Sequence, residues 1–354
     1  MNNQERMEPS RFRKQIRFQP IGEEGQRKLQ SSRVAIVGVG ALGSIIAERM
    51  VRAGVGYVRL IDRDWVEWDN LPRQSLYVEA DVQNRYPKAI AAKQHLERID
   101  SSIRIEAEVQ DLTYRNVHPL LDDVDLILDG SDNFEVRFLI NDFAHETHTP
   151  WVHGGCVGAA GQVMLVVPNQ TPCFRCVVPD LPPIGSQETC DTAGVVGPAV
   201  TIVGSWQCIE AIKYLTGNWT PQEMQLLAID TWHGDVRKIH LQALMKGERC
   251  VACRGDRSFL TGKIGGGATV LCGRNAIQIH PPSKTELDLK EIAEKLQGFG
   301  PVFSNAFFVR VESNETHSAN GKLTATIFRD GRAVIGGTEE ESLARAWYAR
   351  WVGC

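Results

Sequence analysis

A glycine-rich turn follows the first apolar segment of this 354-residue chain. The apolar run Arg33–Val37 leads into Gly38-Val39-Gly40-Ala41-Leu42-Gly43, which fits the pattern G-x-G-x-x-G, and a helical pattern continues to about Arg52. In this strand–turn–helix setting, the free N–H groups of the turn and of the helix start bind a phosphate. Asp62 ends a second apolar run, where a carboxylate accepts hydrogen bonds from a ribose. The turn therefore predicts a nucleotide site, without identifying the nucleotide or the reaction.

Charged side chains follow the turn at several points along the chain. Lys88 begins a helical pattern, and Asp132 comes shortly after the apolar run Asp125–Leu128. Because the carboxyl ends of parallel strands meet at one edge of a sheet, we expect these side chains to share the pocket of the turn. Carboxylates bind Mg²⁺, and lysine and arginine neutralise phosphate charge, so the pocket favours Mg-ATP chemistry over hydride transfer. The candidates are Asp62, Asp64, Asn70, Arg73, Gln74, Lys88, Asp129, Asp132 and Asn133.

The sequence contains two Cys-x-x-Cys pairs, Cys173 with Cys176 and Cys250 with Cys253. Four thiolates make a closed tetrahedral site that suits structural Zn²⁺. The alternative is a redox pair beside an unrelated second pair.

A further cysteine, Cys190, lies in the proline- and glycine-rich segment 179–198, which predicts a long loop ahead of a helix. A nearby helix N-terminus would lower the pKa of its thiol and Asp191 would raise it, so Cys190 is either a nucleophile or a loop thiol without function. We interpret Cys156, Cys208 and Cys272 as core residues, and likewise Trp151, Trp206 and Trp232.

Alternating strand and helix patterns predict an α/β protein with a Rossmann-like, doubly wound, mostly parallel sheet. Antiparallel strands extend the sheet after Trp151, and a small α+β module follows at the C-terminus. The predicted divisions are a larger domain over 1–254, a linker at 255–268, and the module at 269–354. Within the larger domain, a nucleotide-binding part covers 30–150, and a second half with both Cys-x-x-Cys pairs covers 151–254.

The composition is that of an ordinary globular protein, with 43% hydrophobic and 23% charged residues and a net charge of −4. This charge gives no general attraction to nucleic acid or to anionic membranes. The N-terminal segment is polar, and no apolar run approaches the length of a membrane span. We therefore expect a cytoplasmic protein with neither a membrane nor a nucleic-acid partner.

Together these motifs resemble the ubiquitin-activating-type adenylyltransferases of the bacterial ThiF/MoeB/HesA family. The shared segments are R-x-x-K-Q-I at Arg11–Ile16, the glycine turn, D-x-D and N-L-x-R-Q within residues 62–74, P-K at 87–88, S-D-N-x-x-x-R at Ser131–Arg137, and both Cys-x-x-Cys pairs. The segments IGEEGQRKL and TCDTAGV, with the C-terminal module, resemble the thiamine-thiazole branch of that family.

The resemblance implies a reaction and a partner. The C-terminal carboxylate of a ubiquitin-fold sulfur carrier ending in Gly-Gly would attack the α-phosphorus of ATP, giving an acyl-adenylate and pyrophosphate. Catalytic roles fall to Arg73 and Lys88 on the phosphates, Asp132 on Mg²⁺, and Cys190 in capture of the activated carrier. Zn²⁺ would bind Cys173, Cys176, Cys250 and Cys253. The implied ATP contacts are Arg11, Lys14, Gly38, Gly40, Gly43, Asp62, Asp64, Asp69, Asn70, Leu71, Pro72, Arg73, Gln74, Lys88, Asp132 and Asn133.

Lys14 departs from the family pattern, which has an arginine at this position. In the family, that arginine reaches the ATP bound by the other protomer of a homodimer. Lysine keeps the charge but lacks the planar fork of arginine.

Other functions stay open. The substrate is alternatively a molybdopterin-synthase carrier or a peptide, and a sulfurtransferase or cysteine desulfurase is a further candidate partner. An NAD-dependent oxidoreductase is one alternative, but it would leave Arg73, Lys88 and Asp132 unexplained. A non-catalytic carrier-binding scaffold is another, since it would not need the arginine that Lys14 replaces.

Overall fold

The computed structural model describes residues 11–182, 190–246, 250–264, 269–271, 275–279, 281, 286–318, 321–338 and 340–352. The chain divides into two compact units. The first comprises Met1–Pro182 and Ala193–Gly262, and the second comprises Pro183–Thr192 and Lys263–Cys354. Among the described residues, no helix is both long enough and apolar enough to span a bilayer.

The first unit is built on an eight-stranded sheet. Its strands are β1 (Arg33–Val37), β2 (Tyr57–Ile61), β3 (Arg104–Glu108), β4 (Leu126–Asp129), β5 (Trp151–Val157), β6 (Ala160–Val166), β7 (Gln225–Asp230) and β8 (Asp235–His240). Their order is β3-β2-β1-β4-β5-β6-β7-β8, with β1 to β5 parallel and the remaining pairs antiparallel. The predicted fold class is thus confirmed.

Helices cover both faces of this sheet, so the parallel strands are apolar runs buried on both sides, as β2 shows along its whole length. The helices up to residue 246 are α1 (Arg13–Ile16), α2 (Gly22–Ser31), α3 (Ala41–Ala53), α4 (Glu79–Gln83), α5 (Lys88–Ile99), α6 (Val117–Leu121), α7 (Phe134–Thr147), α8 (Phe174–Val177), α9 (Cys190–Ala193), α10 (Gly197–Thr216) and α11 (Gln242–Lys246). Short 3₁₀ turns lie at Trp68–Asn70 and Pro221–Glu223.

The second unit contains a six-stranded sheet in the order β11-β12-β13-β14-β10-β9, in which every pair is antiparallel. Its elements are β9 (Thr269–Leu271), β10 (Ala276–Ile279), α12 (Leu289–Leu296), β11 (Val302–Ser304), β12 (Phe308–Ser318), β13 (Gly321–Phe328), β14 (Ala333–Gly336) and α13 (Glu341–Trp351). The apolar faces of α12 and α13 pack on the sheet and form one core with it. This is the small α+β module expected from the sequence.

Two details differ from simple sequence patterns. Phe259, within the predicted linker, is buried in the first unit, and its N–H donates to buried Asp142 at 3.0 Å. Trp151 is buried and Trp206 packs against the core, but Trp232 is exposed, so its interpretation as a core residue was wrong. Cys156 and Cys208 are buried as expected, and Cys272 lies outside the described residues.

Candidate functional site

The glycine turn follows β1 at the carboxyl edge of the sheet. Gly38 adopts a left-handed φ of +81°. A Cβ on Gly43 would lie 1.9 Å from the Gly38 carbonyl oxygen, so this glycine allows helix and strand to pack closely. Gly40 differs, because the nearest atom to its Cβ position is Gln74 Nε2 at 3.8 Å. Of the three motif glycines, only Gly40 faces open space at the start of α3.

Asp62 holds the turn from the neighbouring strand. Its Oδ2 accepts a hydrogen bond from the Val39 N–H at 2.6 Å, and its Oδ1 accepts one from the Asp64 N–H at 2.7 Å. Burial raises the pKa of the Asp62 carboxyl above its usual value, although nearby Lys88 opposes the shift. Each carboxylate oxygen keeps a second lone pair. Asp62 can therefore brace the turn and still accept a hydroxyl.

Lys88 begins α5 beside the same turn. Its Nζ lies 3.4 Å from Asp64 Oδ2, and its N–H donates to the Asp64 carbonyl at 2.8 Å. Its side chain is only 5% exposed. Tyr77 joins the two segments, since its hydroxyl donates to the Val39 carbonyl at 2.6 Å and lies 3.2 Å from the Lys88 carbonyl. Tyr77 thus ties the segment of this buried cation to the turn, whose opening lies at Gly40.

The segment Asp69–Gln74 lies against this opening. Asn70 is buried, and its amide oxygen accepts the Glu67 N–H at 3.1 Å while its nitrogen donates to Asp69 at 2.9 Å. Arg73 donates to the Asp69 carbonyl. Gln74 is buried beside Gly40, Leu71 packs against the core, and Pro72 is exposed with its carbonyl next to Gly197.

Asp132 and Asn133 follow β4 at the same edge. Asp132 is exposed, whereas Asn133 caps α7 by accepting the Glu135 N–H at 2.8 Å. Arg63, which the sequence analysis missed, lies 3.0 Å from Asp111 and 3.8 Å from Asp64. Burial lowers the pKa of Arg63, but Asp111, Asp64 and Asp132 outweigh it and raise the pKa above its usual value. Arg63 thus lies within reach of the charges of Asp64 and Asp132, two of the sequence-predicted carboxylates.

A buried network supports the loop that carries Asp132. The Asp129 carboxylate accepts hydrogen bonds from Ser131 Oγ at 2.6 Å, Arg137 Nε at 3.1 Å and His153 Nδ1 at 2.9 Å. Arg137 also donates to the Ser131 carbonyl at 2.7 Å. Burial alone would raise the pKa of Asp129, but Arg137 and His153 outweigh it and lower the pKa. His153 had no signal in the sequence, because its partner is 24 residues away on another strand.

The four paired cysteines converge. The Sγ atoms of Cys173 and Cys176 are 3.8 Å apart, those of Cys173 and Cys250 are 3.4 Å apart, and those of Cys176 and Cys253 are 3.7 Å apart. All four sulfur atoms lie within 4.8 Å of one another. Tetrahedral Zn²⁺ with Zn–S bonds of about 2.3 Å separates its sulfur ligands by about 3.8 Å. The donor set and its spacing therefore fit a zinc ion.

Two predicted residues, Arg11 and Lys14, lie away from the turn. Arg11 forms an ion pair with buried Asp100. Lys14 is exposed on α1, whose neighbour Gln15 donates to the carbonyl of Ala53 at 2.9 Å. Since Ala53 ends α3 and the glycine turn begins it, α1 lies at the far end of that helix. The backbone of Cys190 begins α9, but its side chain is outside the described part of the structure.

Comparison with known proteins yields a family and several relatives. A sequence model of the ThiF family matches residues 12–252. The chain is 41% identical over 345 residues to the sulfur carrier protein ThiS adenylyltransferase of Bacillus subtilis, covering 97% of this chain and 99% of that protein. It is 36% identical over 251 residues to the sulfur carrier protein adenylyltransferase of Thermus thermophilus, covering 70% and 91%. Among solved structures, Escherichia coli MccB with MccA-N7isoASN gives a TM-score of 0.60 at 21% identity, covering 69% and 74%, a likeness of fold.

Proposed function

This chain belongs to the ThiF family, and from that membership we propose that it transfers AMP from ATP to the C-terminal carboxylate of a ubiquitin-fold sulfur carrier ending in Gly-Gly. A carboxylate oxygen attacks the α-phosphorus, pyrophosphate leaves, and an acyl-adenylate forms. The observation that carries the proposal is the accessible turn at Gly40, which Tyr77 ties to the segment of buried Lys88, with Asp62 and Asp132 at the same sheet edge.

The side chains act by position and charge. Gly40 lets the phosphates approach the turn and the N-terminus of α3, where backbone N–H groups favour an anion. Asp62 accepts the ribose hydroxyl, and Lys88 and Arg73 balance the charge that builds up on the phosphate oxygens. The attacking carboxylate is already ionised at neutral pH, so the reaction needs no general base.

Asp132 is the residue that would hold Mg²⁺. Its carboxylate is exposed at the carboxyl edge, close enough for its charge to act on Arg63. Carboxylate oxygens are preferred ligands of Mg²⁺, which when bound neutralises phosphate charge. Zn²⁺ would occupy the four-cysteine cluster as a closed structural ion.

Sulfur delivery for thiamine biosynthesis is the pathway that best fits this assignment. The relative from Bacillus subtilis, which is named for the carrier ThiS, aligns over nearly the whole chain, including the C-terminal module. In this proposal the Cys190 thiolate attacks the carbonyl carbon of the acyl-adenylate, so that a thioester to the carrier forms and AMP leaves. A sulfur-donating enzyme acts next in the sequence.

Each active site needs two chains in this proposal. Helix α3 has 13 residues and is therefore about 20 Å long, so Lys14 at its far end does not reach the nucleotide of its own chain. Helix α10 exposes Ile202 and Ile209 and carries no charged residue from Gly197 to Ile209. Such an apolar face suits a two-fold interface that delivers Lys14 to the other protomer.

ATP–pyrophosphate exchange that depends on the carrier tests the assignment. Asp132→Ala should lower the exchange rate by about 10²-fold or more, because it removes a metal ligand and a charge that orders the site. Asp122→Ala is the matched control, since this exposed carboxylate precedes β4 at the other edge of the sheet. Full exchange activity in the Asp132 variant would refute the proposed site.

A further inference from the structure

Trp232 lies in the turn between β7 and β8 and is 76% exposed, more than any other large apolar side chain in the described part of the chain. An indole this exposed leaves a large apolar area in water. Nothing in the nucleotide site uses this residue. Its exposure therefore needs its own explanation.

The turn that carries Trp232 is held firmly by hydrogen bonds. Asp230 Oδ1 accepts the N–H groups of Trp232 and His233, each at 3.1 Å, and Asp230 Oδ2 lies 2.9 Å from His233 Nδ1. Thr231 donates twice to the Ala159 carbonyl, from its N–H at 2.9 Å and from its hydroxyl at 2.8 Å. A preformed turn presents the indole at little entropic cost on binding.

The strand directions place this turn at the nucleotide edge. Since β6 is antiparallel to both β5 and β7, β7 ends at the same edge as β1 and β4. The strand order separates β7 from β4 by three spacings and from β1 by four. At about 4.8 Å per spacing, Trp232 lies roughly 14 Å from the Asp132 loop and roughly 19 Å from the glycine turn.

Two glycines, Gly158 and Gly194, lie at the sheet edge between Trp232 and the glycine turn. Gly158 donates to the Gly194 carbonyl at 2.9 Å and accepts the Val196 N–H at 2.9 Å, so the backbone crosses the edge here. A Cβ on either glycine would meet no atom of the described residues within 4 Å. Beyond them, Gly197 abuts the Pro72 carbonyl in the nucleotide segment. An extended peptide that runs from Trp232 to the ATP site can therefore approach the backbone closely at Gly158 and Gly194.

We propose that Trp232 anchors the folded body of the carrier protein while the carrier's Gly-Gly tail extends over Gly158 and Gly194 to the nucleotide. This inference rests on the proposed function and adds the residue that selects the carrier. An extended chain covers about 3.4 Å per residue, so the 14–19 Å span takes roughly four to six residues. The carrier is therefore recognised by an apolar patch at the base of a free tail of that length.

The test uses the ThiS carrier of Bacillus subtilis as the probe in pyrophosphate exchange. Trp232→Ala should raise the KM for ThiS by about 10-fold or more, as expected for loss of a central aromatic anchor, and leave kcat and the KM for ATP unchanged. Trp232→Phe should keep most of the affinity. Leu244→Ala, which truncates another exposed apolar residue, is the control and should match the wild-type protein.

Each contrary result has a separate meaning. An unchanged KM for ThiS in Trp232→Ala, or an equal rise in Leu244→Ala, would overturn the anchor. Conversion of the wild-type assembly to smaller species by Trp232→Ala, measured by sedimentation, would show that a second copy of the chain occupies this face and would also overturn it. Absence of any ThiS-dependent exchange in the wild-type protein would instead refute the proposed function itself.

Discussion

Gly40 and Gly43 lie three residues apart in one turn but have opposite surroundings. A Cβ on Gly43 would lie 1.9 Å from the Gly38 carbonyl oxygen, whereas the nearest described atom to one on Gly40 is Gln74 Nε2, at an ordinary contact distance of 3.8 Å. One glycine is therefore needed for packing of α3 on the sheet, and the other for access to the turn. The motif alone does not separate these two roles.

This difference predicts distinct effects of the same substitution. Gly43→Ala should lower the free energy of unfolding by about 1–3 kcal/mol or more, because the new methyl group meets rigid backbone. Gly40→Ala should keep nearly wild-type stability but raise the KM for ATP about 10-fold or more, because the methyl group occupies the space for phosphate. Urea unfolding and ATP titrations measure the two effects. Equal destabilisation by both substitutions would contradict the separation.

At the scale of elements, the short helix α8 depends on the cysteine cluster and the core beneath it. Four residues are too few for a helix that is stable by itself. Phe174 is buried against Phe138 and Trp151, and Cys173 and Cys176 flank it on the side of the cluster. Cys250 and Cys253 bring the segment after α11 to the same place. A bound zinc would hold together two segments that are 77 residues apart.

We therefore expect purified protein to contain about one Zn²⁺ per chain. Cys250→Ser should lose most of the metal and lower the Tm, because one ligand of a closed site is missing. Cys208→Ser is the control, since Cys208 is a buried thiol outside the cluster, and it should keep the full metal content. Metal analysis by mass spectrometry gives the stoichiometry. Freshly purified, soluble protein without zinc, or equal zinc in both variants, would be inconsistent with the site.

At the scale of the whole molecule, α3 separates two segments implied for ATP binding, the glycine turn and the basic segment that holds Arg11 and Lys14. The glycine turn begins this helix, whereas Phe12 packs at Gly54 just beyond its end and Arg11 binds Asp100. A single chain therefore holds Lys14 away from its own nucleotide. In the proposed homodimer, Lys14 of a second chain would supply the contact that Lys14 of the same chain does not reach.

Mixing two inactive variants tests the shared site. In a heterodimer of Lys14→Ala and Asp132→Ala chains, one site combines the intact Asp132 of the first chain with the intact Lys14 of the second. If subunits exchange freely in an equal mixture, about half of the dimers are heterodimers with one working site of two, so exchange activity should return to about a quarter of the wild-type value. No recovery, with subunit exchange demonstrated, would rule out this role of Lys14.

The sequence by itself determined the elements whose signals are local. The apolar run before Gly38, the spacing to Asp62, and the helical pattern from Lys88 report the strand–turn–helix order directly, and the structure has these elements within a residue or two. Because parallel strands end at one edge, the position of Asp62 and Asp132 at the same edge of the sheet also followed from the pattern. The confirmed family came from the same motifs.

Only the tertiary structure decided contacts between segments whose separation carries no periodic signal. His153 contacts Asp129, which is 24 residues away, and Arg63 contacts Asp111, which is 48 residues away. The large apolar side chain of Trp232 is typical of a core residue, yet the hairpin between β7 and β8 holds it in solvent. Periodicity reports which face of an element is buried, but the path of the chain determines which distant element covers that face, or leaves it open.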